Sequence, residues 1–355
     1  MIRRAFVFTL ALALALALAA PLSAAELQLL TWKGYAPKEL VDKFEKETGI
    51  EVKLTYTNNE EMIAKLRATR GAGFDLAQPS QDRIAGPQKK FNIYRPLDLS
   101  KIDASLFIAS LLEATKKNST VEGKVYAVPH VWGTSGLIVN TKLAADANDY
   151  LALCDSKYTG RVSYRVKRPT LVAFAFAMGY DPFKALDSRQ EYEKLMQTVG
   201  DKLIACKPMV KTYWENGDAL LGLMRSDEVY LAMGWDGGGW KLSEANPAIR
   251  FIAPRSGALG WVDTFAMPAK AKNTDAAYKW INFMMRPEHA AVITNQEKYA
   301  TAAKGTEPYV NEDFRKLYEA SFPPAAIDNI KWYPPIETWA EEIEGNILEK
   351  VKAAR

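Results

Sequence analysis

The chain has 355 residues, with 46 lysines and arginines against 42 aspartates and glutamates, two histidines and a formal charge of +4. Its 48% hydrophobic content and length are enough for two domains around real cores. The near balance of charge, with no basic run, argues against a nucleic-acid binder, and His130 and His289, isolated from each other and from cysteine, argue against a zinc site.

Met1–Ala25 has the order of a secretory signal: Arg3 and Arg4, the apolar run Phe6 to Ala20, then Pro21 and the small residues Ser23, Ala24 and Ala25. Cleavage is expected before Glu26, leaving a soluble exported chain with a charge of about +2. From there strands alternate with helices. Leu27 to Thr31 predicts a strand, and Lys38 to Thr48 an amphipathic helix with Leu40, Val41 and Phe44 inward, ended by Gly49. Ile50 to Tyr56 predicts a second strand, and Asn58 to Arg70 a helix with Met62, Ile63 and Leu66 on one face. Gly73-Phe74-Asp75-Leu76 leads into a strand that stops at Pro79-Ser80.

After Val125 to Val128, two separate runs mark the passage to a second lobe: Gly136 to Asn140, then the Asp146 to Tyr158 connection. That lobe's own alternating series runs from Arg161 to Gly234. Phe251 and Ile252 lead on to Trp261 and Phe265, and the tail from Asp275 to Arg355 is expected to be mostly helical. This alternation predicts an α/β sheet whose strand ends form a ligand crevice. Cys154 and Cys206 are either two buried thiols or a bridge. A bridge would close a loop of roughly 50 residues, worth about 4 kcal/mol.

No G-x-S-x-G elbow, H-E-x-x-H or phosphate-binding G-x-x-x-x-G-K-[ST] loop occurs, so catalysis is not expected. Gly237-Gly238-Gly239, after Asp236, is read as a glycine loop. The most informative segment is Gly260-Trp261-Val262-Asp263. In an extended strand, period-2 alternation puts Trp261 and Asp263 on one face. An aromatic wall beside an anion suits an alkylammonium ligand, through a cation–π face and a charge-assisted acceptor. An isolated W-x-D is more often a core tryptophan near a surface aspartate, so other segments have to carry the functional reading.

A series of segments carries a resemblance. Trp32-Lys33-Gly34-Tyr35 is similar to N-W-x-x-Y, and Phe44-Glu45-Lys46-Glu47-Thr48-Gly49-Ile50 to F-x-x-E-T-G-I. Phe74-Asp75-Leu76-Ala77-Gln78-Pro79-Ser80 is similar to Y-D-L-x-x-P-S, and Val128-Pro129-His130-Val131-Trp132-Gly133 to I-P-Y-x-W-G. Met233-Gly234-Trp235-Asp236-Gly237 looks like M-x-W-N-G, and Ile281-Asn282-Phe283-Met284-Met285-Arg286-Pro287 looks like I-N-F-L-L-R-P. Together, in this order, they resemble the spermidine/putrescine-binding proteins of bacterial ABC transporters.

The resemblance implies a two-lobed type 2 periplasmic-binding-protein fold with the ligand cleft between α/β lobes. The first lobe is expected at 26–133 with about 261–307, and the second at 134–260 with about 308–355. Position by position, it implies ligand contacts at Trp32, Tyr35, Ser80, Trp235, Trp261, Asp263 and Tyr299. Asp236 stands where the family has Asn, and Asp82 where an aromatic is common. Either, with Asp263, is expected to neutralise an amine. The implied role is a monomeric periplasmic protein without a cofactor or metal, capturing a small amine and docking on an inner-membrane ABC permease.

One departure matters. Where the family has T-D-D-x-x-E, this chain reads Tyr164-Arg165-Val166-Lys167-Arg168-Pro169-Thr170, with three bases and no acid. Either these bases point to solvent from a strand end, or Arg165 and Arg168 face the cleft and receive a carboxylate. The second case implies an amine–carboxylate ligand such as an ω-amino acid. An enzyme on the same fold is the remaining alternative.

Overall fold

Leu27, Leu29 and Leu30 lose all contact with solvent, and this apolar run forms the central strand β1 (Glu26–Thr31). The structure is a computed structural model that describes residues 25–354. The expected export signal, Met1–Ala25, lies outside the described residues except for Ala25. In chain order the other strands are β2 (Glu51–Tyr56), β3 (Leu76–Ala77), β4 (Thr120–Val121), β5 (Lys124–Val125), β6 (Ala127–Asn140) and β7 (Val162–Tyr164). They are followed by β8 (Val210–Tyr213), β9 (Leu231–Trp235), β10 (Ile249–Ile252), β11 (Leu259–Ala266), β12 (Ala300–Thr301) and β13 (Lys331–Trp332).

The main sheet runs β2-β1-β3-β11-β6-β9-β7-β8. Its flanks are parallel, β1 beside β2 and β3 on one side and β7 beside β8 and β9 on the other. Between them the long strands β6 and β11 run antiparallel to each other, joining the two flanks. Every residue of β11, and every residue of β6 except Trp132, is buried. Such burial on both faces replaces alternation by a nearly continuous apolar run.

β6 is one strand of 14 residues, where the sequence suggests two separate segments. Pro129 hides its continuity. It is accommodated because the register with β11 shifts between Asp263 and Thr264, leaving His130 unmatched. A bulge is where a strand tolerates proline.

Helices cover the sheet. The Lys38–Thr48 helix buries Leu40, Val41 and Phe44 and ends at Gly49 in the left-handed conformation (φ 69°). Phe44 meets Trp280 and Phe283 edge-on, with centroids at 5.0 and 5.3 Å. The tail is helical at Thr274–Met284, Pro287–Glu297, Glu312–Ser321, Pro324–Asp328 and Thr338–Ala353, interrupted by β12 and β13. The last of these packs on the Arg189–Ala205 helix, where a Cβ added to Gly200 would lie 2.5 Å from Ile347 Cγ2.

Gly237, Gly238 and Gly239 are not a loop but the opening turn of the Asp236–Ala245 helix. Two of them must be small because the helix lies hard against its neighbours: a Cβ on Gly237 would sit 2.6 Å from the Tyr299 ring, and one on Gly239 2.8 Å from Phe251.

Cys154 and Cys206 form a disulfide with Cα atoms 4.8 Å apart, closing 52 residues of sequence around β7 and the Arg189–Ala205 helix. Replacing both by serine should lower stability by about 2–4 kcal/mol. Urea denaturation checks this, and reductant should lower the wild-type midpoint while leaving the variant's unchanged.

Candidate functional site

The carboxyl ends of the parallel strands of both flanks converge on the crossing pair β6 and β11, enclosing a cleft of about 150 Å³. Trp32, Lys33 and Tyr35 reach it from the turn after β1, and Ser80, Asp82 and Arg83 from the turn after β3. Arg165, Lys167, Arg168 and Pro169 come from the connection between β7 and the Arg168–Ala177 helix. Trp235 closes β9, while Trp261 and Asp263 both face the cleft from β11, as alternation requires. Tyr299 and Tyr333 complete the wall.

Four aromatic rings form a corner around Asp263. Trp32 lies 6.5 Å from Tyr35, Tyr35 lies 6.4 Å from Tyr299, and Tyr299 lies 5.4 Å edge-on from Trp261. Trp32 is fixed by its Nε1–H, which donates to Gln78 O at 2.8 Å. Asp263 is 4% exposed. The Tyr35 hydroxyl donates to its Oδ2 at 2.6 Å, and the Ser80 hydroxyl donates to its Oδ1. Asn59 grips Ser80 from both sides: its Nδ2 donates to Ser80 Oγ at 2.8 Å, and its Oδ1 accepts Ser80 N–H at 3.0 Å.

Burial pushes the Asp263 carboxyl up to about 7; the bonds from Ser80 and Tyr35 oppose the rise, and the Asp82 charge adds to it. In an empty cleft it is therefore half protonated near neutrality, and a cation would draw it into the charged form. His130, in the β6 bulge, is pushed down to about 3 by burial, so it is neutral beside Gln78 and stacks near Phe265.

Of the residues expected at the site, only Asp236 does not line the cleft. It begins a helix, and its carboxylate accepts Thr134 N–H (2.7 Å), Thr134 Oγ1–H (2.9 Å) and Gly237 N–H (2.7 Å). The side chain lies behind Trp261, near Gly133. Asp82 does line the cleft, but its carboxylate is bound by Arg168 Nη1, so it is not a free receptor for an amine.

Arg168 is 4% exposed and also donates its Nε–H to Glu344 at 3.0 Å, while its guanidinium lies 4.8 Å over Tyr333. Arg165 lies beside the edge-on pair Trp214 and Trp235, 5.2 and 5.4 Å from their ring centres. Both arginines thus face the cleft and not open solvent.

Sequence reasoning missed Asn59, Glu60, Arg83, Ser135 and Tyr333. Asn59 and Glu60 look like an ordinary helix start, and Tyr333 reaches the cleft only through the pairing of β13 with β11. Among the described residues there is no cluster of His, Cys, Asp and Glu able to hold a metal ion, and no helix long and apolar enough to cross a membrane.

A family model described as bacterial extracellular solute-binding protein matches residues 39–316. The chain belongs to that family. Among curated relatives of this solute-binding protein, the spermidine/putrescine-binding periplasmic protein of Escherichia coli is 29% identical, over 93% of this chain and 92% of the other. The putrescine-binding periplasmic protein PotF of the same organism is 28% identical, over 85% and 84%. A solved spermidine/putrescine ABC transporter substrate-binding protein from Streptococcus pneumoniae shares the fold, with TM-score 0.73 and 24% identity over 92% and 98% of the two chains. The two-lobed periplasmic-binding-protein architecture is that of this chain.

Asp263 sets a pH dependence in the free protein. Folding raises its pKa from 3.8 to about 7, so the folded chain holds a proton that the unfolded chain releases. Its contribution is full below pH 3.8 and is lost as pH rises towards 7, at up to about 1.4 kcal/mol per pH unit. Urea midpoints between pH 5 and 8 should therefore fall for the wild type, and fall less steeply for Asp263→Asn.

Proposed function

We propose that this protein is the solute-receiving component of an ABC importer, exported to the periplasm, where it captures a small amine-bearing ligand and delivers it to an inner-membrane permease. The observation that carries this reading is the buried Asp263 carboxylate inside the corner made by Trp32, Tyr35, Trp261 and Tyr299. A cation entering there meets a charge-assisted acceptor and several ring faces at once, beside a carboxylate that is almost fully buried. The putrescine and spermidine named for the relatives make the alkylamines the first class to test.

Capture is by closure. We take residues 26–133 with about 261–307 as one lobe and 134–260 with about 308–355 as the other, hinged where β6 and β11 cross. Ion pairs between the two sides support this division: Asp82 with Arg168, Arg83 with Glu341, and Lys33 with Asp218. A ligand touching both sides shifts the hinge equilibrium towards the closed form, which a permease can then distinguish from the open one. The role is that of a monomeric binder. Met1–Ala25 serves as the cleavable export signal.

A thermal-shift screen over diamines, polyamines, ω-amino acids and quaternary amines tests the reading. A ligand at 100 times its Kd should add about 2.7 kcal/mol of apparent stability. Asp263→Asn should keep the fold and weaken the best ligand by about 1.5–3 kcal/mol, roughly 10- to 150-fold in calorimetry. The wild type should bind more weakly at pH 5.5 than at pH 8, because the proton on Asp263 must leave before the ammonium is neutralised. Unaltered binding in the variant at both pH values would remove Asp263 from the site.

A further inference from the structure

The cleft leaves a consistent set of polar atoms unsatisfied. Among its lining side chains, Arg165 Nε, Arg168 Nη2, Trp261 Nε1 and Tyr333 OH are buried without a hydrogen-bond partner. All four can donate, and the three nitrogens can do nothing else. The lining also carries five basic side chains and three acidic ones, an inverted balance for a receptor of dications.

The two arginines are not equivalent. Arg168 has its charge answered by Asp82 and Glu344. Arg165 has no carboxylate within 4.0 Å among the described residues, and its guanidinium donates no hydrogen bond there. Glu60 shares the cleft but lies at 3.9 Å from both Arg83 and Lys167, the bases it approaches nearest. Trp214 and Trp235, edge-on to each other with centroids 5.1 Å apart, meet the Arg165 guanidinium from one side, and its Nε finds no hydrogen-bond partner. The N-terminal end of the ten-residue Arg168–Ala177 helix, beside it, adds further positive potential.

Building on the amine-receptor reading above, we propose that the ligand is dipolar. Its ammonium sits at Asp263, and a carboxylate at its other end is received by the Arg165 guanidinium, with Arg168 Nη2 and Tyr333 OH as supplementary donors. The ligand class is then an ω-amino acid rather than a diamine or polyamine. A second ammonium would face an unpaired arginine and leave every one of these donors unanswered, whereas a carboxylate satisfies them and balances the excess base.

Calorimetric titration with length-matched pairs of ω-amino acids and α,ω-diamines of three to six carbons, together with spermidine, decides the matter. For at least one length, the amino acid should bind at least tenfold more tightly than its diamine. Arg165→Gln should weaken that amino acid at least tenfold and strengthen the matching diamine, while Arg165→Lys, which keeps the charge without the planar fork, should restore only part of the loss. A diamine or spermidine that binds wild type as tightly as the best amino acid overturns the dipolar ligand and leaves the amine-receptor reading standing. Failure of every compound in the panel to bind overturns that reading, and this inference with it. The wild-type comparison decides even if Arg165→Gln does not fold.

Discussion

The burial of one carboxylate organises this molecule. Keeping Asp263 at 4% exposure raises its pKa to about 7, a net cost on the order of 4 kcal/mol for its charged form. That is what remains after two uncharged hydroxyl donors, Tyr35 and Ser80, have partly offset the loss of water. Asp236, with two backbone N–H groups and a hydroxyl, is pushed up by burial to about 7 as well, but it lies outside the cleft. Asp263 differs in facing the cleft, where the proposed ligand's cation would complete it.

Holding it there depends on the crossing strands. Asp263 lies at the register shift between β11 and β6, and the turn after β3 closes over the same point, with Ser80 bridging Asp263 and the N–H of Thr264 donating to Pro79 at 2.9 Å. The Trp261 ring lies flat across β6 only because Gly133 has no side chain; a Cβ there would be 2.7 Å from Trp261 Cζ2. The neighbouring Gly260 admits Trp332 in the same way, at 2.6 Å. The aromatic corner is therefore built into the two strands that join the flanks, so the proposed ligand site and the proposed hinge share residues.

This arrangement explains what the sequence made legible. Residues that act through local pattern could be read directly: the W-x-D alternation of β11, the Leu40–Val41–Phe44 face and the glycine after the Lys38–Thr48 helix. The bulge concealed the unity of β6, because its Pro129 and His130 look like a break. Asp236 was placed in the cleft by its position in a motif, but the helix it opens turns its carboxylate inward onto Thr134. The Gly237–Gly239 run had the composition of a loop; its helical state follows from contacts with Tyr299 and Phe251, which are distant in sequence. Tyr333 and Asn59 carry no local mark of their place in the wall, since each arrives there through tertiary pairing.

The charges of the cleft follow a related logic. The pairs joining its two sides, Asp82 with Arg168 and Arg83 with Glu341, lie where water is scarce, and a buried pair of this kind yields little net stability once desolvation is counted. On the proposed closure their value is conditional: they form only when both sides meet, and so bias the closed geometry without requiring a ligand to touch them. Arg168 spends its charge on that contact, held between Asp82 and Glu344. Arg165, three residues earlier, has aromatic partners but, among the described residues, no carboxylate within 4.0 Å, with Glu60 and Glu215 acting on it from further off, just as Asp263 has hydroxyl partners but no cation there. Two incomplete groups of opposite sign in one cleft of about 150 Å³ define a receptor more narrowly than either does alone, because a ligand that completes only one leaves the other's desolvation uncompensated.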